Sequence, residues 1–347
     1  MQGDFFLTQW AFLGMRWLYE HLTGESIVLT VVISTIIIRA LTLIGDVKSR
    51  QSSAKMSAIQ PQLNKLQKKY EKDPEKLNRE SQKLMKENNV SMFGGCLPML
   101  FTMPLFFIFI AAFRQWGNEM MVKLIVKMSE NPAEGLELFK SFKFLWVNNM
   151  WQADNGFQPV IQTAQNLFSS ANNINKLLIF QEHPEYGELF ERLGFFIKDA
   201  TQKSGYALNL VQTAAQTTSG CACSPTTSST LAQTAIDAYN NLMAPCVNLY
   251  AGHNNGWFIF PLICCGTTFL SSWFLTKGQP KNDNPSANNT NKIMQWMMPI
   301  MTFVFCLTTN ATFALYWTVS NLASIVTTYF INKKYKIAPV VETEEKK

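Results

Sequence analysis

The order of apolar and polar positions divides the chain into five apolar runs set among polar and amphipathic stretches. The first, 26–45, is about 20 residues long, enough for a helix to cross a hydrocarbon core of roughly 30 Å. Twelve of its residues are Ile, Leu or Val. The others are 92–114, in which Pro98 and Pro104 predict a kinked or loosened helix, then 257–276, with Trp257 and Trp273 at its two ends, then 293–308 and 312–331, separated by the polar turn Thr308-Thr309-Asn310. Ahead of them, in 1–25, Phe6, Trp10, Leu13 and Trp17 share one helical face, the pattern of a helix lying along the outer headgroups. In 46–91, Met56, Ile59, Leu63, Leu66 and Tyr70, then Leu77, Leu84 and Met85, predict two amphipathic helices broken at Asp73-Pro74, hence a helical hairpin. Residues 115–256 are mostly polar, with helical patterns around 158–180, 186–214 and 229–250 and a Ser/Thr/Cys-rich break from Thr217 to Ser229. The expectation is an all-α polytopic membrane protein with five transmembrane helices and an outer helical insertion at about 150–250. A loop, 277–292, and a tail, 332–347, complete it.

One position breaks the first run: Arg39. A charge at the middle of a membrane helix costs about 2.5–3.5 kcal/mol, and each Ile, Leu or Val returns about 0.3–0.6. The apolar residues outweigh it, so the helix inserts and carries the charge. Thr35, Thr42 and Asp46 stand at −4, +3 and +7 from Arg39, which stacks all four on one stripe. Two readings follow from this helix alone: an arginine snorkelling to the headgroups two turns away, or a functional charge facing protein or water.

Charge distribution sets the topology. Residues 46–91 hold eleven Lys/Arg against six Asp/Glu, and 116–255 hold eight against eleven. Positive residues stay inside, so 46–91 is expected in the cytoplasm and 115–256 outside, with an outer N-terminus and a cytoplasmic C-terminus. The loop 277–292, with three Lys to one Asp, and the tail, with five Lys to three Glu, agree. The start of the chain has no basic region with a small-residue cleavage site and no lipoprotein-type cysteine, so a cleaved signal is not expected. The seven cysteines and three histidines show no metal-ligand spacing. Cys221 or Cys223 with Cys246 can be either a disulfide or a reduced cluster. No nucleophile with a base, no paired carboxylates and no phosphate-binding loop is present, so no enzyme, cofactor or metal is expected. An arginine, charged at any physiological pH, is also a poor proton relay.

The last run repeats the habit of the first. Trp317, Asn321, Ser324 and Thr328 fall on one stripe, flanked by Tyr316 and Ser320, and Thr102 is the polar residue near the middle of the second run. With Arg39, Thr35 and Thr42 these residues either line one hydrated cavity or make ordinary hydrogen bonds between helices. Met99 and Met103 in the second run, and Met298 and Met301 in the fourth, offer soft apolar surface for a passing hydrophobic segment, or plain packing.

Read together, IIIRALTL with SAIQPQLNKLQKKY, then NNVSMFGGCLPMLFTMPLFF, the outer FLWV at 144–147, and MMPIMTFVF with ALYWTVSNLASIV resemble the YidC/Oxa family of membrane protein insertases, in family order and spacing. The resemblance implies five spans around a hydrophilic groove, open to the cytoplasm and to lipid and closed outside, with the groove arginine at Arg39. A substrate's hydrophilic tail would enter the groove while its apolar segment slides along the second and fourth spans. No nucleotide is consumed; partition into lipid and the membrane potential supply the work. The implied partners are nascent membrane proteins, the ribosome through the hairpin or the tail, the Sec translocon and anionic lipids, with no DNA, in a bacterial plasma membrane. Three features depart from the family pattern: Thr102 where a glutamine is frequent, TTNAT in the turn between the last two spans, and the enlarged outer region. Two rivals stand beside this reading. One is an anion-binding channel or secondary transporter, against which the chain shows no internal repeat and no second intramembrane charge. The other is a scaffold whose outer region docks a partner.

Overall fold

The computed structural model describes residues 6–88, 97–169, 173–214, 227–276 and 285–335. The chain is mostly helical and divides into two compact units, one of 1–27, 109–258 and 309–312, the other of 28–108, 259–308 and 313–347.

The second unit is built from long helices. One of them, α2, runs unbroken from Ile27 to Lys69, so the first apolar run and the first basic amphipathic segment are a single 43-residue helix. Its first part, Ile27–Lys48, is the one stretch among the described residues long and apolar enough to cross a bilayer by length and composition. Beyond it α2 passes through Pro61, whose missing N–H and ring clash cost roughly 3 kcal/mol in a helix interior. Burial of Ile59 and Leu63 against Leu84 and Met85 of α3 (Pro74–Glu87), with Met56 alongside, offsets that cost. The chain reverses between them at Asp73, whose carboxylate caps α3 by accepting from Lys76 N at 3.1 Å, with Pro74 in the first helical turn, where its missing N–H is harmless. The start of α4 (Leu97–Glu130), α10 (Ile259–Thr276), α11 (Pro285–Thr308) and α12 (Ala311–Tyr335) complete this unit. Ile259–Phe274 and Trp296–Thr308 are apolar but shorter than a full crossing. Helix α11 begins well before the apolar run, within the stretch expected as a loop.

The first unit carries α1 (Phe6–His21), most of α4, α5 (Pro132–Ser141), three short helices α6 (Ala164–Leu167), α7 (Ile179–Glu182) and α8 (Pro184–Arg192), and α9 (Gln233–Leu249). Phe12, Met15 and Tyr19 of α1 are buried, so the aromatic stripe of Phe6, Trp10, Leu13 and Trp17 is the exposed face. A cluster of Phe168, Phe180, Phe190, Phe195, Phe196 and Tyr239 forms the core of the insertion, with ring centroids as close as 4.5 Å.

The insertion corrects the all-α expectation. The pattern read as a helix over 186–214 is α8 followed by strands: β1 (Phe196–Lys198) pairs antiparallel with β2 (Tyr206–Leu208), and β3 (Leu210–Ala214) with β4 (Thr227–Leu231) in register Leu210↔Leu231. Gly194, at φ +79°, ends the helical path after α8, and Gly205, at φ +77°, turns the chain from β1 into β2. Asp199 holds the β1–β2 turn by accepting from Thr201 N and Oγ1. Among the described residues the 158–180 pattern is likewise broken into α6, a 3-10 turn at Ile174–Lys176 and the start of α7, and 229–231 belong to β4 rather than to α9. Cys221 and Cys223 lie outside the described residues; Cys246 is a buried free thiol beside Met128 Sδ at 3.7 Å, and burial pushes its pKa up to about 11.

Candidate functional site

On α2 the buried face is Ile27, Thr30, Val31, Ser34 and Thr35, while Ile36, Ile37, Leu41 and Ile44 are exposed. Helical periodicity puts Arg39 at the edge of the buried face, where it is half-buried. Among the described residues its guanidinium donates to a single oxygen: Ser320 Oγ of α12 accepts from Arg39 Nε at 2.9 Å and from Nη2 at 2.5 Å. Tyr316, one turn earlier on α12, lies close to Ser320 and in the field of Arg39. Among the described residues no carboxylate pairs with Arg39. A guanidinium has five N–H donors in a fixed fork, so one hydroxyl leaves most of its capacity unused.

The other sequence candidates divide. Thr35 is fully buried and its hydroxyl bonds back to Val31 O at 2.6 Å, and Thr42 Oγ1 donates to Arg39 O at 3.2 Å; both hydroxyls are spent on α2 itself. Trp317 and Asn321 turn toward α10: Trp317 Nε1 donates to Thr268 Oγ1 at 3.0 Å, and Asn321 Nδ2 to Thr268 Oγ1 at 2.9 Å and Thr267 Oγ1 at 3.2 Å. Trp317 also packs edge-on against Phe106 of α4, centroids 5.0 Å apart. Arg39, Ser320 and Tyr316 therefore form one cluster, and Trp317, Asn321, Thr267 and Thr268 another. Thr267 and Thr268 escape sequence reasoning because two adjacent threonines in an apolar run look like ordinary span composition; only the opposing Trp317 and Asn321 reveal their use. Cys264 joins the same helix pair, with its thiol against Ala314 O at 3.1 Å and Thr318 Oγ1 at 3.3 Å.

Met298 and Met301 of α11 are half-buried, and the exposed apolar positions of that helix are Trp296, Met297, Ile300 and Val304. Met99, Thr102 and Met103 fall within α4, and their side chains lie outside the described residues. Among the described residues no group of three or more His, Cys, Asp or Glu is placed to hold a metal ion.

A second arginine, in the other unit, makes a different site. Arg16 of α1 gives Nη2 to Glu182 Oε2 at 2.6 Å and Nε to Glu20 Oε1 at 3.2 Å, and stands 3.5 Å from Glu119 Oε1 of α4. Lys123 faces the same carboxylates, 3.3 Å from Glu20 and 3.4 Å from Glu119. Glu119 is fully buried, and among the described residues neither of its oxygens receives a hydrogen bond. Burial therefore raises its pKa despite the pull of Lys123 and Arg16. At Glu20, burial is outweighed by Lys123 and Arg16, and its pKa is lowered.

The chain matches the family described as 60Kd inner membrane protein over residues 17–189 and 224–338. It is similar to a membrane protein insertase YidC of Clostridium perfringens, 34% identical over 148 residues, which covers 42% of this chain and 54% of that protein. A YidC of Clostridium tetani is 38% identical over 124 residues, 36% of this chain and 47% of its own, and one of Aquifex aeolicus 38% identical over 96 residues, 28% and 19%. The chain thus spans about half the length, or less, of these relatives. The match takes in α2 with Arg39, all of α4, and α10 to α12 with Ser320, and the chain belongs to the 60Kd inner membrane protein family, the YidC/Oxa family that its motifs resemble.

Proposed function

We propose that this chain is a membrane protein insertase of a bacterial plasma membrane, which passes hydrophobic segments of newly made proteins into lipid through a groove holding one arginine. The observation that carries the reading is the Arg39–Ser320 contact: a half-buried guanidinium on the described stretch long and apolar enough to cross a bilayer, held by a neutral hydroxyl, its charge uncompensated by any carboxylate among the described residues. Such a charge is expensive in a membrane helix and is kept where it meets a polar group that comes and goes. An acidic substrate tail supplies that group, since carboxylates fit the guanidinium fork in pairs. The relatives named as insertases support the same activity.

In this mechanism the substrate's tail enters beside Arg39, Thr35, Thr42, Thr102, Tyr316 and Ser320, while its apolar segment moves along Met99, Met103, Met298 and Met301 into lipid. Apolar burial and the membrane potential drive the step, worth about 2.3 kcal/mol per charge per 100 mV. Five spans at 26–45, 92–114, 257–276, 293–308 and 312–331 place the N-terminus outside and the C-terminus in the cytoplasm. The basic α2–α3 pair at 46–91 and the tail then face the ribosome and anionic lipid, and the insertase acts alone or beside the Sec translocon.

Site-specific crosslinking from Met103, Met298 and Trp317 to a stalled nascent chain tests this. Crosslinks to a nascent membrane protein and none to a soluble one are expected; equal crosslinks to both, or none to either, would contradict it and favour the anion transporter.

A further inference from the structure

We infer that the neck of the outer insertion is a lipid-dipping platform, on which Leu145, Phe157 and Trp257 enter the headgroup–acyl boundary of the bilayer. The inference rests on the membrane reading above and gives the insertion's base a role of its own. These three residues are 61%, 85% and 72% exposed, Phe157 and Trp257 among the most exposed large apolar side chains of the described residues. A single exposed apolar residue is ordinary on a protein surface. Three of them on separate loops, held by the buried Asp154 and its neighbour Asn155, are not.

That carboxylate is Asp154, itself fully buried. Its Oδ1 accepts from the backbone N–H groups of Trp257 at 2.8 Å and Phe258 at 3.1 Å, and its Oδ2 accepts from Trp146 Nε1 at 2.9 Å. Next to it, Asn155 Oδ1 accepts from Phe157 N at 3.1 Å and Gln158 N at 2.8 Å, fixing the loop that carries Phe157. The Asn149–Asn255 pair closes the neck behind them: Asn149 N donates to Asn255 Oδ1 at 2.8 Å, and Asn255 Nδ2 to Asn149 O at 2.8 Å. The whole insertion therefore leaves and rejoins the chain at one hydrogen-bonded point.

The backbone is held in costly conformations there. Leu145, at the tip of the tight Phe144–Val147 turn, has φ +51°, and Phe258 has φ +64°. Neither is a glycine, and such strain persists only where surrounding bonds enforce it. The two glycines of the neck have no room for a side chain: a Cβ at Gly256 would overlap Asp154 Oδ1, and one at Gly156 would strike the Phe258 ring. The Phe157 ring meets Phe258 edge-on at 5.4 Å, so its outward position is fixed as well. Enforced exposure of aromatic and aliphatic tips, with Asn148 and Asn254 bonded to one another on the same neck, matches the mixed polarity of the membrane interface, where Trp and Phe are favoured. The choice of lipid over a protein partner comes from chain reach. Trp257 stands two residues before Ile259, where the apolar helix α10 begins, so it lies within roughly 7 Å of that helix's first turn.

The test places a photoreactive p-benzoylphenylalanine, one at a time, at positions 145, 157 and 257 of the full chain in phosphatidylethanolamine–phosphatidylglycerol vesicles. Position 262, exposed on α10, and position 198, exposed on β1, serve as references. Lipid adducts at 145, 157, 257 and 262, several-fold above 198, are expected, and Asp154→Asn should lower those at 157 and 257 while sparing 262. Adducts at 262 alone, or adducts at 145, 157 and 257 to protein, would overturn the platform and leave the membrane reading intact. Adducts at none of these sites would overturn both.

Discussion

Arg16 and Arg39 are the same side chain in opposite circumstances. Arg16 joins three carboxylates from α1, α4 and α7, with Lys123 beside it, in a network that ties the first helix to the insertion. Among the described residues Arg39 donates to one hydroxyl. A guanidinium surrounded by acids is a structural part, because its removal strands buried charge. One with a single neutral acceptor is available to something else. Burial alone does not separate the two, since both are partly buried; the partners do.

The largest effect that separates them is on stability. Arg16→Ala leaves the fully buried Glu119 with Lys123 alone and should cost about 3–5 kcal/mol, the range for breaking a buried ion pair. Arg39→Ala removes a charge that costs about 2.5–3.5 kcal/mol to hold in a membrane helix, so its unfolding midpoint should stay level or rise. Thermal unfolding of both variants in the same detergent decides the matter. A large loss in Arg39→Ala would make Arg39 a structural residue like Arg16.

Ser320→Ala comes next. It deletes the one side chain among the described residues that Arg39 donates to, and hydrogen bonds to charged groups contribute about 1.5–3 kcal/mol. The variant should unfold somewhat earlier yet retain part of its insertion activity, because the charge remains; complementation of insertase-depleted cells reads the second half. Complete loss of insertion with unchanged stability would place the binding function on Ser320 instead.

The smallest effect is a pH dependence confined to the Arg16 network. The pKa of Glu119 is raised by burial above the ordinary 4.5, so folded protein holds a proton that unfolded protein has released. Its contribution to stability is full below that ordinary value and is lost as pH rises through the raised one. Glu20, held low, works the other way, and its contribution is lost as pH falls through its lowered value. Glu119→Gln should therefore match the parent in acid and exceed it at alkaline pH in unfolding midpoint. A parent that gains on the variant as pH rises would contradict the burial account.

Much of this was legible in the sequence, for physical reasons. Arg39 stands out because a charge among isoleucines is costly wherever the helix goes, and Asp73-Pro74 marks a reversal because proline and a capping carboxylate act locally. The motifs around these residues carry the family, which the match over both halves of the chain bears out. The strands of the insertion were hidden because FIK, YAL and LVQTA are too short to show alternation, and because the two positive-φ glycines, one ending α8 and one turning β1 into β2, read as isolated small residues. Burial of Glu119 was hidden because it depends on Arg16, 103 residues away, and on the turn of α1 that presents it. The split of the α12 stripe was equally invisible, since Ser320 and Asn321 are neighbours in sequence, yet one serves α2 and the other α10.

The central claim is that Arg39 is kept as a receptor for acidic tails, and insertion of matched substrates with acidic or neutral outer tails into proteoliposomes tests it most directly. Parent, Arg39→Lys and Arg39→Ala chains should insert the neutral-tailed substrate alike. With the acidic tail they should fall in that order, Arg39→Ala by about tenfold, equivalent to ~1.4 kcal/mol. Equal insertion of the acidic-tailed substrate by all three would contradict the account.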